Sequence, residues 1–553
     1  MIHESPRDPV TIPDVPFTDL VLSRVDRHPD RPAFVDGADG RRVTYGALRR
    51  AVRTAARELT GRGFGRGDVL GLVSPNVPEF AVAFHAALSA GGIVTTLNPM
   101  WTAREMARQL GDAGARLLVA GPGSAEKARA AGREAGVEEV LDLSALSPGE
   151  DTGAAAGDER EPATAGAGRG DADAGIDPAR DLACLPYSSG TTGFPKGVKL
   201  THRNLVANVE QYRAADPLGE GEVLLGVLPF FHIYGMIVVM SVGLREGATV
   251  VTMPRYDLEE ALGLVEEHRI TRANLVPPII RELARAPAVD RHDLSSLRVV
   301  GSGAAPLGAG VQEQCAERLG VQVRQGYGLT ETSPVTHTNP PDDNRAGSVG
   351  PPLPNTRMKI VDLAGGEPLG PGERGEVWIQ GPQVMRGYLD RPEATARTLT
   401  DDGWLRTGDV GRADEDGYLQ VVDRVKELIK YKGYQVPPAE IEAVLQSHPE
   451  VADAAVIPSP DGEAGEVPKA VVVRADGSSL ESRDVIEYVA ERVAPYKKVR
   501  RVAFRDDIPT SASGKILRRE LVEEERGPED GEPAGVGGAD GGGEATARGE
   551  STA

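Results

Sequence analysis

The sequence predicts an α/β protein with a large N-terminal domain, in which helices pack on βαβ-type sheets, and a small α+β domain at the C-terminus. Two observations support this prediction. Helix and strand patterns alternate through the first half of the 553 residues, and the predicted elements become shorter after about Arg424. The length is sufficient for two or more domains, each with its own hydrophobic core.

The large domain begins with a regular alternation of elements. Thr44 can cap an amphipathic helix over residues 45–61, in which apolar side chains recur at helical spacing. The segments that follow are predicted as strand 69–74, helix 78–90, strand 93–97, helix 102–113, strand 116–120, strand 182–187, helix 202–213 and strand 248–253. Strands that alternate with helices of this length indicate βαβ units and a parallel sheet.

The small domain is predicted over residues 427–522, after a large domain that spans residues 1–423. Its predicted elements are helix 438–447, strand 454–457, strand 470–474, helix 480–493 and strand 499–504. We place the boundary between Asp423 and Lys426, where the character of the elements changes.

Two acidic segments carry most of the net charge of −21, which arises from 83 acidic and 62 basic side chains. Residues 147–179 hold eight acids and two bases, a net −6, and residues 523–553 hold nine acids and two bases, a net −7. Both segments contain few large apolar residues, so they bury too little surface to offset chain entropy. We therefore predict a disordered acidic insert and a disordered acidic tail.

The composition excludes several classes of protein. An acidic balance argues against nucleic acid or an anionic membrane as a partner, since both require clustered Lys and Arg. Cys184 and Cys315 lie far apart, which disfavours a disulfide framework and a structural zinc site. The N-terminus has no apolar signal segment, and the longest apolar run, residues 231–244, is too short to span a bilayer. The prediction is a cytoplasmic protein without a membrane span.

A segment rich in glycine and hydroxyl side chains directly follows the predicted strand 182–187. Over residues 187–198 it reads YSSGTTGFPKGV. Glycines permit close backbone approach, hydroxyls and backbone N–H groups can surround phosphate oxygens, and Lys196 adds a positive charge. The glycine spacing and the residue after the lysine differ from those of a Walker A loop. The segment therefore predicts a phosphate-binding loop of another type.

This loop resembles the phosphate loop of the adenylate-forming superfamily, which includes acyl-CoA synthetases, 4-coumarate–CoA ligases, luciferases and peptide-synthetase adenylation domains. Six further blocks resemble that superfamily in the same order: residues 229–235 (PFFHIYG), 302–308 (SGAAPLG), 325–331 (QGYGLTE), 403–409 (GWLRTGD), 423–433 (DRVKELIKYKG) and 509–517 (PTSASGKIL). The resemblance covers all but the insert and the tail, and 4-coumarate–CoA ligases are the most similar group. It implies an AMP-forming acid–thiol ligase with a mobile small domain that uses ATP, Mg²⁺ and CoA.

The resemblance also implies which residues carry the activation chemistry. A carboxylate and ATP are both anions, so fixed positive charge is required where they meet. Lys515 matches the lysine of acyl-adenylate formation, and Glu331 matches the Mg²⁺ carboxylate; His232 and Thr192 are the other predicted catalytic residues. The predicted ATP- and AMP-binding residues are Ser188, Ser189, Gly190, Thr191, Thr192, Lys196, Gln325, Gly326, Tyr327, Thr330, Asp409, Arg424, Lys430, Gln435 and Lys515. Among them, Asp409 matches the residue that accepts hydrogen bonds from the ribose hydroxyls.

The junction between the domains is unusually rich in lysine, because 3 of the 11 lysines of the chain fall between residues 426 and 432. The resemblance implies a hinge at Asp423 and Lys426, about which the small domain rotates between two half-reactions. It places Lys432 and Gly433 on CoA. Arg255 stands where the related enzymes carry a CoA-contacting lysine, which keeps the charge but changes its geometry.

The acyl-binding residues implied by the resemblance leave the substrate open. They are His232, Tyr234, Ala304, Gly326, Gly328, Pro334 and Val335. Tyr234 and the small Gly326 favour a flat ring, as in 4-coumarate or cinnamate, while a medium-chain fatty acid is the alternative because an apolar pocket separates such acids weakly. The expected oligomeric state is a monomer or a weak homodimer.

A dinucleotide-binding oxidoreductase is the rival from a different class. Two Gly-x-Gly turns, at residues 121–123 and 301–303, follow predicted strands, but both lack the third glycine of the nucleotide fingerprint. A serine hydrolase is disfavoured because no GxSxG sequence is present.

Overall fold

The computed structural model describes residues 1–146, 175–188, 195–219, 221–511 and 514–526. Most of the predicted insert 147–179 and the tail beyond Arg526 lie outside the described residues, as do Ser189, Gly190, Thr191 and Thr192 of the predicted phosphate loop. The last five residues of the predicted insert are described, and the N–H group of Asp177 there donates a hydrogen bond of 2.8 Å to the Asp181 carboxylate.

Residues 1–146 alternate helices and strands as the hydrophobic pattern predicts. The helix predicted over 45–61 forms with those bounds, and the Thr44 hydroxyl accepts a hydrogen bond from the Ala47 N–H group at its first turn. The elements here are β1 (Ile2–Glu4), α1 (Phe17–Val21), β2 (Pro32–Asp36), β3 (Arg42–Thr44), α2 (Tyr45–Gly61), β4 (Val69–Val73), α3 (Pro78–Ser89), β5 (Ile93–Leu97), α4 (Ala103–Ala113), β6 (Ala115–Ala120), α5 (Ala125–Ala135) and β7 (Glu139–Asp142).

The same rhythm resumes after residue 175, with small shifts in the ends of helix 202–213 and strand 248–253 and one larger difference from the prediction. The strand predicted over 182–187 is divided before Tyr187, because Pro186 has no N–H group to donate to a neighbouring strand. The elements here are β8 (Leu182–Cys184), β9 (Tyr187–Ser188), β10 (Lys196–Gly197), β11 (Leu200–Thr201), α6 (His202–Ala215), β12 (Val223–Gly226), α7 (Val242–Glu246), β13 (Thr249–Thr252), α8 (Leu258–His268), β14 (Arg272–Leu275), α9 (Pro277–Arg285), β15 (Val299–Ser302), α10 (Ala309–Leu319), β16 (Gln322–Gly328) and β17 (Val335–Thr338). A π-helix, Gly235–Ser241, runs directly into α7.

Two mainly parallel sheets form the body of the large domain. One has the strand order β11-β8-β5-β4-β6-β7, and the other has the order β17-β16-β15-β14-β12-β13-β2-β3. In the second sheet, β16 through β2 are parallel, while β17 and β3 pair antiparallel at the edges. Ligands bind outside the carboxyl ends of such strands. The blocks that begin at Ser302 and Gln325 lie at those ends of β15 and β16.

A third sheet, antiparallel, connects the large domain to the junction. It has the order β1-β18-β19-β20-β21, and the new elements are β18 (Arg357–Val361), β19 (Gly375–Gln380), α11 (Pro392–Thr398), β20 (Leu405–Ala413) and β21 (Leu419–Arg424). The register of β20 and β21 pairs Asp409 directly with Arg424. Sheet pairing therefore brings together two predicted nucleotide-binding residues from separate sequence blocks.

The C-terminal part folds around its own apolar core, which includes Ile441, Val456 and Val472. Its elements are β22 (Ile429–Tyr431), β23 (Tyr434–Val436), α12 (Pro438–Gln446), β24 (Val451–Asp461), β25 (Gly465–Arg474), α13 (Ser482–Ala490), β26 (Arg501–Arg505) and α14 (Arg518–Arg526). The helix α14 continues four residues past the predicted boundary at 522. Glu525 on this helix accepts a hydrogen bond from the Ser459 hydroxyl and pairs with Lys469, so the helix is fastened to the sheet.

Polar contacts dominate where the C-terminal domain meets α9 of the large domain. Arg281 pairs with Asp453 at 2.9 Å, and the Arg285 guanidinium donates to the carbonyl groups of Gln446 and Val451. Among the described residues, the main apolar clusters of the two domains are separate, although Gly514 lies against Val276 and an added Cβ atom at Gly308 would lie 3.6 Å from Ala443. Such an interface permits relative movement more readily than a shared apolar core would.

Among the described helices, none is long and apolar enough to cross a membrane.

Candidate active site

A large cavity of about 1570 Å³ lies between the two domains. It is bounded by the carboxyl ends of β15 and β16, by the junction after β21, and by the turn that precedes α14. The predicted site residues that line it are Ser188, Lys196, His232, Tyr234, Ala304, Gln325, Gly326, Tyr327, Gly328, Thr330, Glu331, Pro334, Val335, Asp409, Asp423, Arg424, Lys426 and Lys515. Residues from distant blocks therefore converge on one place.

Lys515 reaches this cavity from a tight turn of the C-terminal domain. Its carbonyl group accepts a hydrogen bond of 2.8 Å from the Ser511 N–H group, and its own N–H group donates to the Ser511 hydroxyl at 3.1 Å. Gly514 has a positive φ of 73°, and an added Cβ atom there would lie 2.9 Å from Val276. A glycine is needed both for the turn and for the close approach to the large domain.

The charge environment of Lys515 disfavours its ammonium form. Burial, and then the charge of Arg424, lower the pKa of Lys515 to about 8, while Asp409 and Glu331 oppose the shift. An incoming polyanion would reverse this balance because it supplies the missing negative charge. The lysine is therefore placed where it responds to an anionic ligand.

Asp409 lies at the centre of the nucleotide end of the cavity. It accepts a hydrogen bond of 2.6 Å from the Tyr327 hydroxyl, and its other carboxylate oxygen lies 3.4 Å from Nε of Arg424. Burial raises the pKa of Asp409, while Arg424 and the Tyr327 hydroxyl oppose the shift. A buried carboxylate with remaining acceptor capacity suits the two hydroxyls of a ribose.

Glu331 lies in a cluster with an aromatic residue and a cation. Its Oε1 atom accepts a hydrogen bond of 2.8 Å from the Tyr388 hydroxyl, and Nζ of Lys196 lies 4.2 Å from the centre of the Tyr388 ring. Burial lowers the pKa of Lys196, an effect that Glu331 opposes. In the described residues, Oε2 of Glu331 makes no hydrogen bond, which leaves it open to a cation.

The acyl end of the cavity begins at His232, next to the π-helix. Nδ1 of His232 accepts a hydrogen bond of 3.3 Å from the Tyr234 N–H group. Burial and then the charge of Lys515 lower the pKa of His232 to about 4, so the ring is neutral at pH 7. Since Nδ1 is an acceptor, the proton resides on Nε2.

The junction is organised around the carboxylate of Asp423. It accepts hydrogen bonds from the N–H group of Arg424 at 2.7 Å and from that of Ala439, in the first turn of α12, at 2.8 Å. Burial raises the pKa of Asp423 to about 7, while Arg518 opposes the shift. Asp423 thus joins the last strand of the large domain to the first long helix of the C-terminal domain.

The comparison with known proteins decides the family. The pattern of the "AMP-binding enzyme" family matches residues 22–389, and that of the "AMP-binding enzyme C-terminal domain" matches residues 440–515. The chain belongs to the AMP-binding enzyme family. The first matched region lies within residues 1–423 and the second lies within residues 427–522, and residues of both regions line the cavity.

Relatives of known identity cover nearly the whole chain of this AMP-binding enzyme. The 4-coumarate–CoA ligase 5 of Oryza sativa subsp. japonica is 42% identical over 527 residues, which are 93% of this chain and 95% of the relative. The 4-coumarate–CoA ligase 3 of the same plant is 44% identical over 501 residues, 89% of each chain. Among solved structures, ATP-bound MatB from Rhodopseudomonas palustris has a TM-score of 0.80 at 30% identity and covers 92% of this chain and 98% of its own.

Several predicted residues of this AMP-binding enzyme do not reach the cavity. Lys430 and Gln435 lie exposed on β22 and β23, and Arg255 is exposed on the loop between β13 and α8. Lys432 is exposed and pairs with Glu463 at 3.1 Å. The predicted roles of these residues, and that of Gly433, remain predictions.

Sequence reasoning missed other residues that the fold brings to the site. Tyr388, Asn274 and Asp216 all line the cavity, yet none lies in a block that the sequence analysis singled out. The sequence marks Asp216 and Asn274 only as polar residues beside or within an apolar segment. Their place in the site depends on which residues lie near them in the fold, and the order of residues along the chain does not show this.

Proposed function

We propose that this protein is an ATP-dependent ligase that joins a carboxylic acid to CoA through an acyl-adenylate. The observation that carries the proposal is the convergence of Lys515 with Asp409 and Glu331 on one cavity. The lysine comes from the C-terminal domain and the two carboxylates come from the large domain. A reaction between two anions needs this combination of a positive charge, a ribose acceptor and a metal carboxylate.

The first half-reaction forms a bond between a substrate carboxylate oxygen and the α-phosphorus of ATP, and it releases pyrophosphate. The Lys515 ammonium stabilises negative charge on the phosphate oxygens where the two anions meet, and Asp409 orients the nucleotide by its ribose. In the second half-reaction the CoA thiolate attacks the acyl carbon and AMP leaves. Lys432, Gly433 and Arg255 are proposed to contact CoA after the C-terminal domain has rotated about Asp423 and Lys426.

The open oxygen of Glu331 supports a magnesium site that is completed by the phosphates of ATP. When bound, Mg²⁺ would neutralise part of the phosphate charge. Tyr388 holds the Glu331 carboxylate by its other oxygen, and this contact fixes the direction in which Oε2 points.

The proposed acid is of the 4-coumarate or cinnamate type. The names of the relatives support an aryl acid, and the cavity places Tyr234 beside Ala304, Gly326 and Pro334 at the acyl end. A medium-chain fatty acid is the alternative substrate. Hydrophobic walls separate an aryl acid from a fatty acid by about 1–3 kcal/mol per missing group, so the substrate panel decides between them.

The test is ATP–pyrophosphate exchange that depends on the added acid, followed by detection of the acyl-CoA. We expect exchange with 4-coumarate or cinnamate, and its loss in Lys515→Ala. The matched control is Lys469→Ala, which removes a lysine of the same domain that does not line the cavity. Absence of exchange with every aryl and fatty acid, or equal losses in both variants, would refute the assignment.

A further inference from the structure

Helix α12 of the C-terminal domain touches the large domain at both of its ends. We infer that Arg285 is a positioning residue for the first half-reaction, because it holds the C-terminal end of α12 and thereby keeps Lys515 in the cavity. The inference rests on the proposed function, since it concerns which half-reaction this domain orientation serves. Arg285 is the last residue of α9 and lies in none of the sequence blocks described above.

One side chain makes the contact at the C-terminal end of α12. The last four carbonyl groups of a helix have no partner within the helix and carry partial negative charge. The Arg285 guanidinium donates to one of them, the carbonyl group of Gln446, at 2.6 Å, and to the carbonyl group of Val451 at 3.0 Å. The helix dipole attracts a cation in this position, and the planar guanidinium suits two acceptors at once. Arg285 therefore joins α9 to the end of α12 and to the start of β24.

Two further contacts restrain the direction of α12 on the large domain. At the N-terminal end of the helix, the Asp423 carboxylate accepts a hydrogen bond of 2.8 Å from the Ala439 N–H group. The helix thus has an anion at its positive end and a cation at its negative end. One turn before Arg285 on α9, Arg281 pairs with Asp453 of β24 at 2.9 Å. Contacts at both ends restrain the helix against rotation as well as against translation.

The middle of α12 approaches the large domain through small residues. An added Cβ atom at Gly308, which precedes α10, would lie 3.6 Å from the Cβ atom of Ala443. Glycine and alanine offer little apolar surface to bury, so they contribute little to holding the two domains together. We therefore assign the orientation to the polar contacts at the ends of the helix.

The position of α12 determines the position of Lys515 because the two are connected within the C-terminal domain. Glu442 of α12 accepts a hydrogen bond of 2.6 Å from the Arg518 guanidinium, and its other oxygen accepts one of 2.7 Å from the Val456 N–H group. Arg518 follows Lys515 by three residues and begins α14. A displacement of α12 is therefore transmitted to the turn that carries Lys515.

The second half-reaction is proposed to follow a rotation of the C-terminal domain about Asp423 and Lys426. Arg285 lies in the large domain and Gln446 lies beyond this hinge, so the rotation separates the two residues. Their hydrogen bonds then stabilise the orientation of the first half-reaction only. A ligand or contact that favours one of two conformations shifts the population towards it. Loss of Arg285 should therefore slow adenylate formation and spare thioester formation.

The test compares the two half-reactions in Arg285→Met, whose side chain has similar length but donates no hydrogen bond. One rate is acid-dependent ATP–pyrophosphate exchange with 4-coumarate, and the other is acyl transfer from supplied coumaroyl-adenylate to CoA. The ratio of exchange to transfer should fall about threefold to tenfold, as expected for the loss of a charge-assisted contact. A ratio is used because it does not depend on the fraction of protein that is folded.

A covalent link between the domains distinguishes positioning from other roles of Arg285. Cysteines at positions 308 and 443 would have Cβ atoms at a distance that suits a disulfide, and Cys184 and Cys315 are buried. In the oxidised Gly308→Cys/Ala443→Cys protein, exchange should persist and transfer should be lost, each relative to the reduced form. Adding Arg285→Met to the oxidised protein should leave exchange unchanged, because the disulfide replaces the contact of Arg285.

Arg318→Met is the matched control, since Arg318 of α10 donates to the carbonyl groups of Leu283 and Ala286 within the large domain. The ratio of exchange to transfer should be unchanged in this variant. Equal losses of both rates in Arg285→Met, or a loss of exchange that persists in the oxidised protein, would overturn the inference.

A second variant keeps the inference testable if Arg285→Met does not fold. Arg285→Lys retains the charge but loses the planar fork, so the ratio of exchange to transfer should fall in the same direction by a smaller factor. An unchanged ratio in Arg285→Lys would then overturn the inference. Absence of both exchange and acyl-CoA in the unmodified enzyme would instead refute the proposed function, and the inference with it.

Discussion

The amine of Lys515 should lose its proton near pH 8 when no nucleotide is bound. Burial is the main cause, the neighbouring charge of Arg424 is the second, and together they lower its pKa from 10.5 to about 8. That difference corresponds to about 3 kcal/mol in favour of the neutral amine. At pH 7 roughly a tenth of the molecules would hold Lys515 neutral, against less than a thousandth for an ordinary lysine.

Competitive labelling with a small neutral acetylating reagent, followed by peptide mass spectrometry, measures this pKa. The rate at Lys515 should rise with a midpoint near pH 8, while a lysine-containing model peptide gives about 10.4. Replacing Arg424 by Gln should move the midpoint upward because a repelling cation is removed, whereas Arg424→Lys should move it less. ATP should suppress labelling, since its phosphates pair with the ammonium form.

A midpoint near that of the model peptide would refute the reasoning, because it would mean that the amine is fully hydrated. A midpoint that stays fixed in Arg424→Gln would also refute it. So would a midpoint that does not rise on addition of ATP, because that result would show that the negative charge of the nucleotide does not reach Lys515.

Three further predictions concern the junction, the metal carboxylate and the C-terminus. Burial raises the pKa of Asp423 to about 7 in the folded protein. The stability that Asp423 contributes is therefore complete at pH values below its pKa in the unfolded chain, and it is lost as the pH rises through about 7. In urea unfolding, the free energy of unfolding of the unmodified protein should fall by about 1 kcal/mol per pH unit relative to Asp423→Asn between about pH 5 and 7, and a difference that does not change with pH would contradict this. Tyr388→Phe removes the hydroxyl that orients Glu331 and should raise the Mg²⁺ concentration needed for half-maximal pyrophosphate exchange about tenfold, with an unchanged midpoint as the contrary result. Truncation after Arg526 should leave activity and Tm unchanged. Truncation before Glu525 should lower the free energy of unfolding by about 1 kcal/mol, because it removes the contacts of Glu525 with Ser459 and Lys469. Equal Tm values for the two truncated proteins would contradict the role of Glu525.

Local pattern was sufficient to predict much of the fold. The helix over 45–61 has the predicted bounds because its apolar spacing and its capping threonine give the same boundary. The strand at 182–187 was predicted too long, since an apolar run does not reveal that Pro186 interrupts pairing. The C-terminal helix ends beyond the prediction because Glu525 finds partners on β24 and β25, and those contacts are not visible in an acidic sequence.

The site was predictable where a residue lies in a recognisable block and was missed where only the fold assembles it. Lys515, Asp409 and Glu331 belong to three separate blocks, and the structure brings all three to one cavity. Tyr388 and Asn274 become meaningful only through neighbours distant in sequence, such as Glu331 and Gly301. The blocks therefore supply Lys515, Asp409 and Glu331, whereas Tyr388 is identified only by its contact with Glu331.

The chain has a net charge of −21, yet the proposed substrates ATP and CoA are polyanions. Their binding therefore depends on positive charge that is concentrated in the cavity. Lys196 and Arg424 belong to the large domain, whereas Lys515 belongs to the C-terminal domain, and all three line the cavity. Without a nucleotide the orientation of the C-terminal domain brings Lys515 close to Arg424 and opposes its ionisation. ATP removes that opposition because it places negative charge between the cations. A ligand shifts a conformational equilibrium towards the conformation that it binds more tightly, so ATP should favour this domain orientation. Release of pyrophosphate removes negative charge and should weaken that preference before CoA binds.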